Sequence, residues 1–246
     1  MNLGRFEVEN HRGRRVPRAL GCWLAPAATA GAILGAAVLP APTFQWGVLA
    51  GALMVFSAGL VDDLSPIGPR GVRNHLRELA AGRMTTGILK LIVTVASAIL
   101  VAALLEPGGG LSSVAAVVVI AGCTNVWNGL DVRPGRALKW FLLIVGISIT
   151  ARFRFDVGSA AGAWIASWVA LPFDLRERAM LGDAGANLLG FTAGVQLAGT
   201  LPPSALVPAA IVAIALNVVA DTVTFSRVIA AAPPIRWFDR VGRLPE

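Results

Sequence analysis

Apolar residues in this chain come in long unbroken runs, not at the three-to-four-residue spacing of a helix half-buried in water. Eight such runs, near residues 19–40, 44–61, 85–105, 111–127, 137–151, 157–173, 185–200 and 204–226, predict eight helices. A helix of about 20 apolar residues crosses the hydrocarbon core of a bilayer. Such a helix is favoured there because it satisfies every backbone N–H and C=O internally. The fifth and seventh runs are short, which implies little tilt or cover from neighbouring helices. Gly108, Gly109 and Gly110 separate the third run from the fourth, and Leu201-Pro202-Pro203-Ser204 separates the seventh from the eighth. The expected fold is all-α: a polytopic transmembrane helix bundle of about eight spans, with residues 1–246 forming a single integral membrane domain.

Composition agrees with this pattern. The chain is 56% hydrophobic and 14% charged, against about 25% charged in ordinary soluble domains, and its mean hydropathy is +0.70. The net charge of +7 does not imply nucleic acid, because the cations lie in short loops between apolar runs. With eight spans and both termini on one side, eighteen Lys and Arg residues fall on that side and only Arg152 and Arg154 on the other, Lys90 lying inside a span. The positive-inside rule then predicts that both termini are cytoplasmic, in a cell inner (plasma) membrane. The basic stretch up to Arg18, followed by a run long enough to stay in the bilayer, predicts no cleaved signal peptide. Cys22 and Cys123 are far apart and read as small buried residues rather than a disulfide. His11 and His75 are too scattered for a zinc site.

On this topology the acidic and amide residues gather at the cytoplasmic ends of the spans. Asp62 and Asp63 end the second span, where the negative end of the helix dipole disfavours two charges and calls for a cation; a solvated loop start would read the same way. Asn125, Asn128 and Asp131 close the fourth span at i, i+3 and i+6, close to one helix face, with Arg133, Arg136 and Lys139 following at once. Amides and a carboxylate beside a basic cluster suit a nucleotide and its phosphates, although a polar helix end followed by membrane anchors gives the same pattern. In Gly182-Asp183-Ala184-Gly185-Ala186-Asn187, Asp183 reads either as a helix cap or as part of a loop whose glycines admit a phosphate. Lys90 lies about one turn into the third span, where an ionisable side chain either serves a function or snorkels to the surface. Asn217, Asp221 and Arg227 fall in the last run at helical spacing and read as polar contacts between helices.

Taken in order, these segments resemble the polyprenyl-phosphate N-acetylhexosamine-1-phosphate transferase superfamily. The family's paired aspartates resemble Asp62-Asp63. Its Asn-x-x-Asn-x-x-Asp resembles Asn125-Val126-Trp127-Asn128-Gly129-Leu130-Asp131, and its Gly-Asp-x-Gly resembles Gly182-Asp183-Ala184-Gly185. Lys90 matches a lysine of the helix after the aspartate pair, and Asn10-His11-Arg12-Gly13 through Pro17-Arg18 to Gly21 resembles the family's basic loop. The resemblance implies transfer of a sugar-1-phosphate from a UDP-sugar to a polyprenyl phosphate, with Mg²⁺ as cofactor and UMP released, for cell-envelope glycan synthesis. It implies Asp183 as Mg²⁺ ligand, with Asp62 and Asp63 holding or deprotonating the lipid phosphate or, for Asp62, assisting the metal. It assigns substrate binding to Lys90, Asn125, Asn128 and Asp131; Arg133 and Arg136 of the basic cluster and Asn187, just after Gly182-Asp183-Ala184-Gly185, are further substrate-binding candidates. A second copy of the chain is a further candidate partner.

Some family features have no counterpart. Val132-Arg133-Pro134-Gly135-Arg136 stands where the family has an acidic continuation, and Ala232-Pro233-Pro234-Ile235-Arg236-Trp237 and a short tail stand where it has a histidine-rich loop. The helix that the family places before the basic loop is also absent. The lost loop and the replaced acid sustain a different reading, a catalytically silent relative acting as a membrane scaffold or lipid-binding protein. A small transporter is a third reading, ranked last because Asp221 is the one modest candidate for an ionisable residue near mid-membrane.

Overall fold

Prolines open two of the long helices. Pro42 starts α2 (Pro42–Leu64) and Pro203 starts the last long helix, each at a first-turn position where a missing N–H costs nothing. The computed structural model describes residues 7–39, 41–65, 72–105, 109–152 and 157–245. Before α2 come a short antiparallel hairpin, β1 (Glu7–Glu9) with β2 (Arg15–Pro17), and α1 (Leu20–Val38). After it follow α3 (Val72–Ala80), α4 (Thr86–Leu105), α5 (Leu111–Leu130), α6 (Arg136–Arg152), α7 (Gly158–Leu175), α8 (Gly182–Thr200), α9 (Pro203–Thr222), α10 (Phe225–Ala231) and α11 (Pro233–Arg240).

Each of the eight apolar runs therefore corresponds to one long helix. Five of them, α1, α2, α4, α5 and α9, are long and apolar enough to cross a membrane. Their outward faces carry large apolar side chains such as Ile92, Ile99, Ile211, Val212 and Ile214, all about half exposed or more. A continuous apolar exterior of this kind belongs in lipid rather than water. By contrast α8 is buried along almost its whole length. Its many glycines and alanines let neighbours close in: a Cβ at Gly21 of α1 would stand 2.6 Å from the backbone nitrogen of Gly185. Small residues at a crossing are what allow helices to pack where lipid offers no hydrophobic drive.

Four features depart from the sequence reading. The hairpin interrupts an all-α expectation. The amphipathic α3 has no apolar run to announce it. The last run does not continue to residue 226, because α9 ends at Thr222 and Thr224 takes φ +69° before α10 begins. Of the polar residues in that run, Asn217 does join α9 to α5, while among the described residues Asp221 and Arg227 form no ion pair. Cys22 is exposed rather than buried, and it and Cys123 are free thiols. Of the expected loop cations, Arg5, Arg70 and Arg154 lie outside the described residues.

The hairpin and the C-terminal segment meet at one end of the bundle. Arg12 of the hairpin reaches the C-terminal segment through Nη2, which donates to Leu244 O at 3.1 Å, and the α7–α8 turn through Nε, 3.0 Å from Glu177 Oε1. The C-termini of α2 and α5 and the N-termini of α4, α6 and α8 lie at this same end.

Candidate active site

The turn before α8 is where the site is built. Gly182 adopts φ +69°, a left-handed conformation that a residue with a Cβ rarely takes, and a Cβ there would stand 2.7 Å from Asp63 Oδ2. The glycine thus lets the end of α2 press against the start of α8. Asp63 Oδ1 accepts the Asp183 backbone N–H at 3.0 Å, and its Oδ2 accepts that of Ala184 at 3.0 Å. A helix start leaves such N–H groups without intrahelical partners, and a carboxylate there also meets the positive end of the helix dipole. Arg18 Nη1 adds a third bond to Asp63 Oδ1 at 2.9 Å. Asp63 is therefore a cap donated across the bundle, with its side chain only 3% exposed.

Its neighbour Asp62 faces a different group. Lys90 Nζ stands 3.1 Å from Asp62 Oδ2 and 2.6 Å from Asp183 Oδ2. The two carboxylates are within hydrogen-bond reach of each other, and the Thr86 hydroxyl also reaches Asp62. Asn128 completes the cluster. With its amide oriented to satisfy both neighbours, it donates to Asp183 Oδ1 at 3.1 Å and accepts from Lys90 Nζ at 3.2 Å. The side chains of Asp62 and Asp183 remain 25% and 33% exposed, so the cluster opens toward the charged end of the bundle.

Asp131 follows the end of α5 and bonds the Gly182 N–H. Burial pushes its carboxyl well above the usual range, and the nearby carboxylates of Asp174, Asp183 and Asp63 push the same way against that hydrogen bond. Asp131, Val132, Arg133 and Pro134 line a small cavity with Asn10, His11, Asp174, Glu177 and Met180. Asp174 Oδ2 accepts the Gly135 N–H at 2.8 Å, which holds the α5–α6 turn, and Asn10 Nδ2 donates to Glu177 Oε2 at 2.8 Å.

Three of the sequence candidates lie apart from the Lys90 cluster. Asn125 donates to Asn217 Oδ1 at 2.6 Å, joining α5 to α9. Asn187 lies one turn farther along α8 than Asp183, 1% exposed, with its Nδ2 unpartnered among the described residues. Arg136 is turned away altogether: it is 3% exposed and binds Asp239 through Nε at 2.8 Å and Nη2 at 3.0 Å. Lys139, next along the same face, donates to the carbonyls of Phe238, Asp239 and Val241. The basic cluster after Asp131 is thus mostly spent on the C-terminal segment. Sequence reasoning missed Arg18, Asp174, Glu177 and Asp239 as partners. Their one signal is an ionisable residue beside an apolar run, which does not name what it meets.

Among the described residues no three His, Cys, Asp or Glu side chains form a group able to hold a metal ion. The donor set nevertheless suits Mg²⁺, which keeps several waters and needs only one or two carboxylates beside substrate phosphates. Asp62 and Asp183 direct an oxygen each at one cation, the Lys90 ammonium. Comparison with models of known protein families finds no match to this chain, and comparison with curated proteins finds none either.

Proposed function

We propose that this chain is a membrane-embedded transferase that moves a sugar-1-phosphate from a UDP-sugar to a polyprenyl phosphate at the cytoplasmic face, releasing UMP. On this reading all eight long helices span the bilayer and both chain ends face the cytoplasm. The reading is supported by one observation above all. Residues from separate motifs of the sequence, Asp62, Lys90, Asn128 and Asp183, meet around a single ammonium group.

The chemistry asks for this. Two phosphorylated anions must approach each other, and phosphoryl transfer depends mainly on positioning and on stabilising charge. Asp183 and Asp62 would hold Mg²⁺, which when bound supplies charge neutralisation between the two substrates. Lys90 is placed to steady a phosphate oxygen, and Asn128 fixes the Asp183 carboxylate. The adjacent aspartates divide the work. Asp63 already accepts three hydrogen bonds, so its part is to position Asp183. Asp62 is left to hold or deprotonate the lipid phosphate. Asp131 and Arg133 would contact the nucleotide; the cavity they line, about 20 Å³, holds little more than a water and would have to open to admit it.

A second reading, a catalytically silent relative serving as a membrane scaffold or lipid-binding protein, draws on the engagement of Arg136 and Lys139 by the C-terminal segment, which removes two expected phosphate ligands. One assay separates the two. Purified protein with Mg²⁺ and polyprenyl phosphate is offered a panel of UDP-sugars, and UMP release is measured. The transferase reading expects release with at least one donor and its loss in Asp183→Asn. Silence with every donor favours the scaffold.

A further inference from the structure

The C-terminal helix is built inside out. In water an amphipathic helix turns its apolar stripe inward and its charges outward. In α11 the acid is the buried residue: Asp239 is 4% exposed and is held by Arg136 and Arg243, the latter at 2.6 Å. Trp237 is 71% exposed and Val241, just past the helix end, is 45% exposed. At about 100° per residue, Trp237 and Val241 share one stripe, and Arg236 and Arg240 form the stripe beside it. Both arginines are exposed. Phe238 turns the other way, packing edge-on against Trp140 with ring centroids 5.2 Å apart. The preceding α10 continues the surface with exposed Arg227 and Val228, while its Phe225 and Ile229 are buried.

We propose that the α10–α11 face is a docking surface for the anionic lipid of the bilayer's own leaflet, with Trp237 and Val241 immersed at the headgroup–acyl boundary and Arg227, Arg236 and Arg240 on lipid phosphates. Three observations select this occupant. The surface adjoins the N-terminus of α6, at the end of the bundle where the cations collect. It carries an indole, which is favoured at the membrane interface, where its ring meets apolar chains and its N–H meets water. Its basic stripe runs beside its apolar one, which is the arrangement of a helix lying in the plane of an anionic surface. The inner face explains why the helix stays put: the Asp239 ion pairs and the carbonyls on Lys139 fix its roll angle, so the apolar stripe is presented rather than buried.

The inference rests on membrane embedding and not on the transfer reaction, so an absence of UMP release leaves it standing. It is tested with the full chain reconstituted in vesicles of phosphatidylcholine alone and of phosphatidylcholine with an equal weight of phosphatidylglycerol. The Trp237 emission is taken as the difference between the native chain and Trp237→Phe. Quenching by lipids brominated on the acyl chain is expected, with protection from aqueous iodide, and stronger quenching in the anionic vesicles. Each arginine at an anionic surface changes partitioning by roughly fivefold, so Arg236→Gln with Arg240→Gln should remove the difference between the two vesicle types. Quenching by iodide would overturn the proposal, since the face would be solvated. Protection from both quenchers would also overturn it, in favour of a second copy or another protein. Equal bromine quenching in both vesicle types in the native chain would refute the anionic preference.

Discussion

Asp63 binds the backbone of Asp183, and not its side chain: the Asp183 N–H reaches Asp63 Oδ1 at 3.0 Å, while the Asp183 carboxylate turns to Lys90. Adjacent aspartates that look equivalent in the sequence therefore do different things. One fixes the helix start, and the other shares the cation that the helix start presents.

The first prediction separates them. Asp63→Ala leaves two helix N–H groups unpaired and Arg18 without its carboxylate, at a cost of about 3 kcal/mol. Its thermal unfolding in detergent should fall clearly. Asp62→Asn should melt close to the native chain yet lose UMP release. Equal melting of both variants would contradict the division.

Gly182→Ala tests the turn. A Cβ there meets Asp63 Oδ2 at 2.7 Å on a backbone at φ +69°, and strain of this kind costs about 1–3 kcal/mol. The melting temperature should drop, and activity should drop with it, because the Asp183 carboxylate moves with its helix. A neutral result would mean that the close approach of α2 to α8 is not required.

Lys90→Met removes the group on which Asp62 and Asp183 converge. If Lys90 stabilises charge on a transferring phosphate, UMP release should fall by about 10²-fold or more, the usual effect of deleting one such donor. Arginine at this position should restore little, because its planar fork does not replace a compact point charge. Measured turnover near the native value would remove Lys90 from the mechanism.

Divalent-ion removal addresses the expectation for Mg²⁺. Chelation should stop UMP release and added Mg²⁺ should restore it, while Asp183→Asn should stay inactive at any Mg²⁺ concentration. Undiminished release in chelator would exclude the metal.

The C-terminal segment should loosen in acid. Burial by itself raises the Asp239 carboxyl, but the hydrogen bonds and charges of Arg136 and Arg243 outweigh it and leave it below its ordinary value. A carboxyl depressed in the folded state adds stability at pH above its unfolded value, near 3.9. That stability is lost as pH falls through the lower folded value. Hydrogen exchange across Pro233–Arg240 should therefore stay slow down to about pH 4 and quicken below it. Asp239→Asn should exchange fast at neutral pH. An acid-insensitive segment would mean that the ion pair does not hold it.

Much of the architecture can be read along the chain, because partition into lipid is a local property. A run such as Thr86–Leu105 is helical and apolar whatever its neighbours do, and eight such runs become eight long helices. The same locality explains what escapes. The short α3 and the β1–β2 hairpin lack apolar runs, and the end of α9 at Thr222 is set by a left-handed residue inside an otherwise continuous stretch. The residues of the Lys90 cluster could each be picked out as ionisable or amide groups at span ends. Their partners could not. That Arg136 turns from Asp131 toward Asp239, or that Asp63 caps a helix beginning more than a hundred residues later, depends on contacts between distant segments. The sequence by itself determined that helices form, roughly where, and with which polar groups at their ends. Only the packing of those helices decided which charge meets which, because a buried carboxylate takes the donors that geometry brings to it.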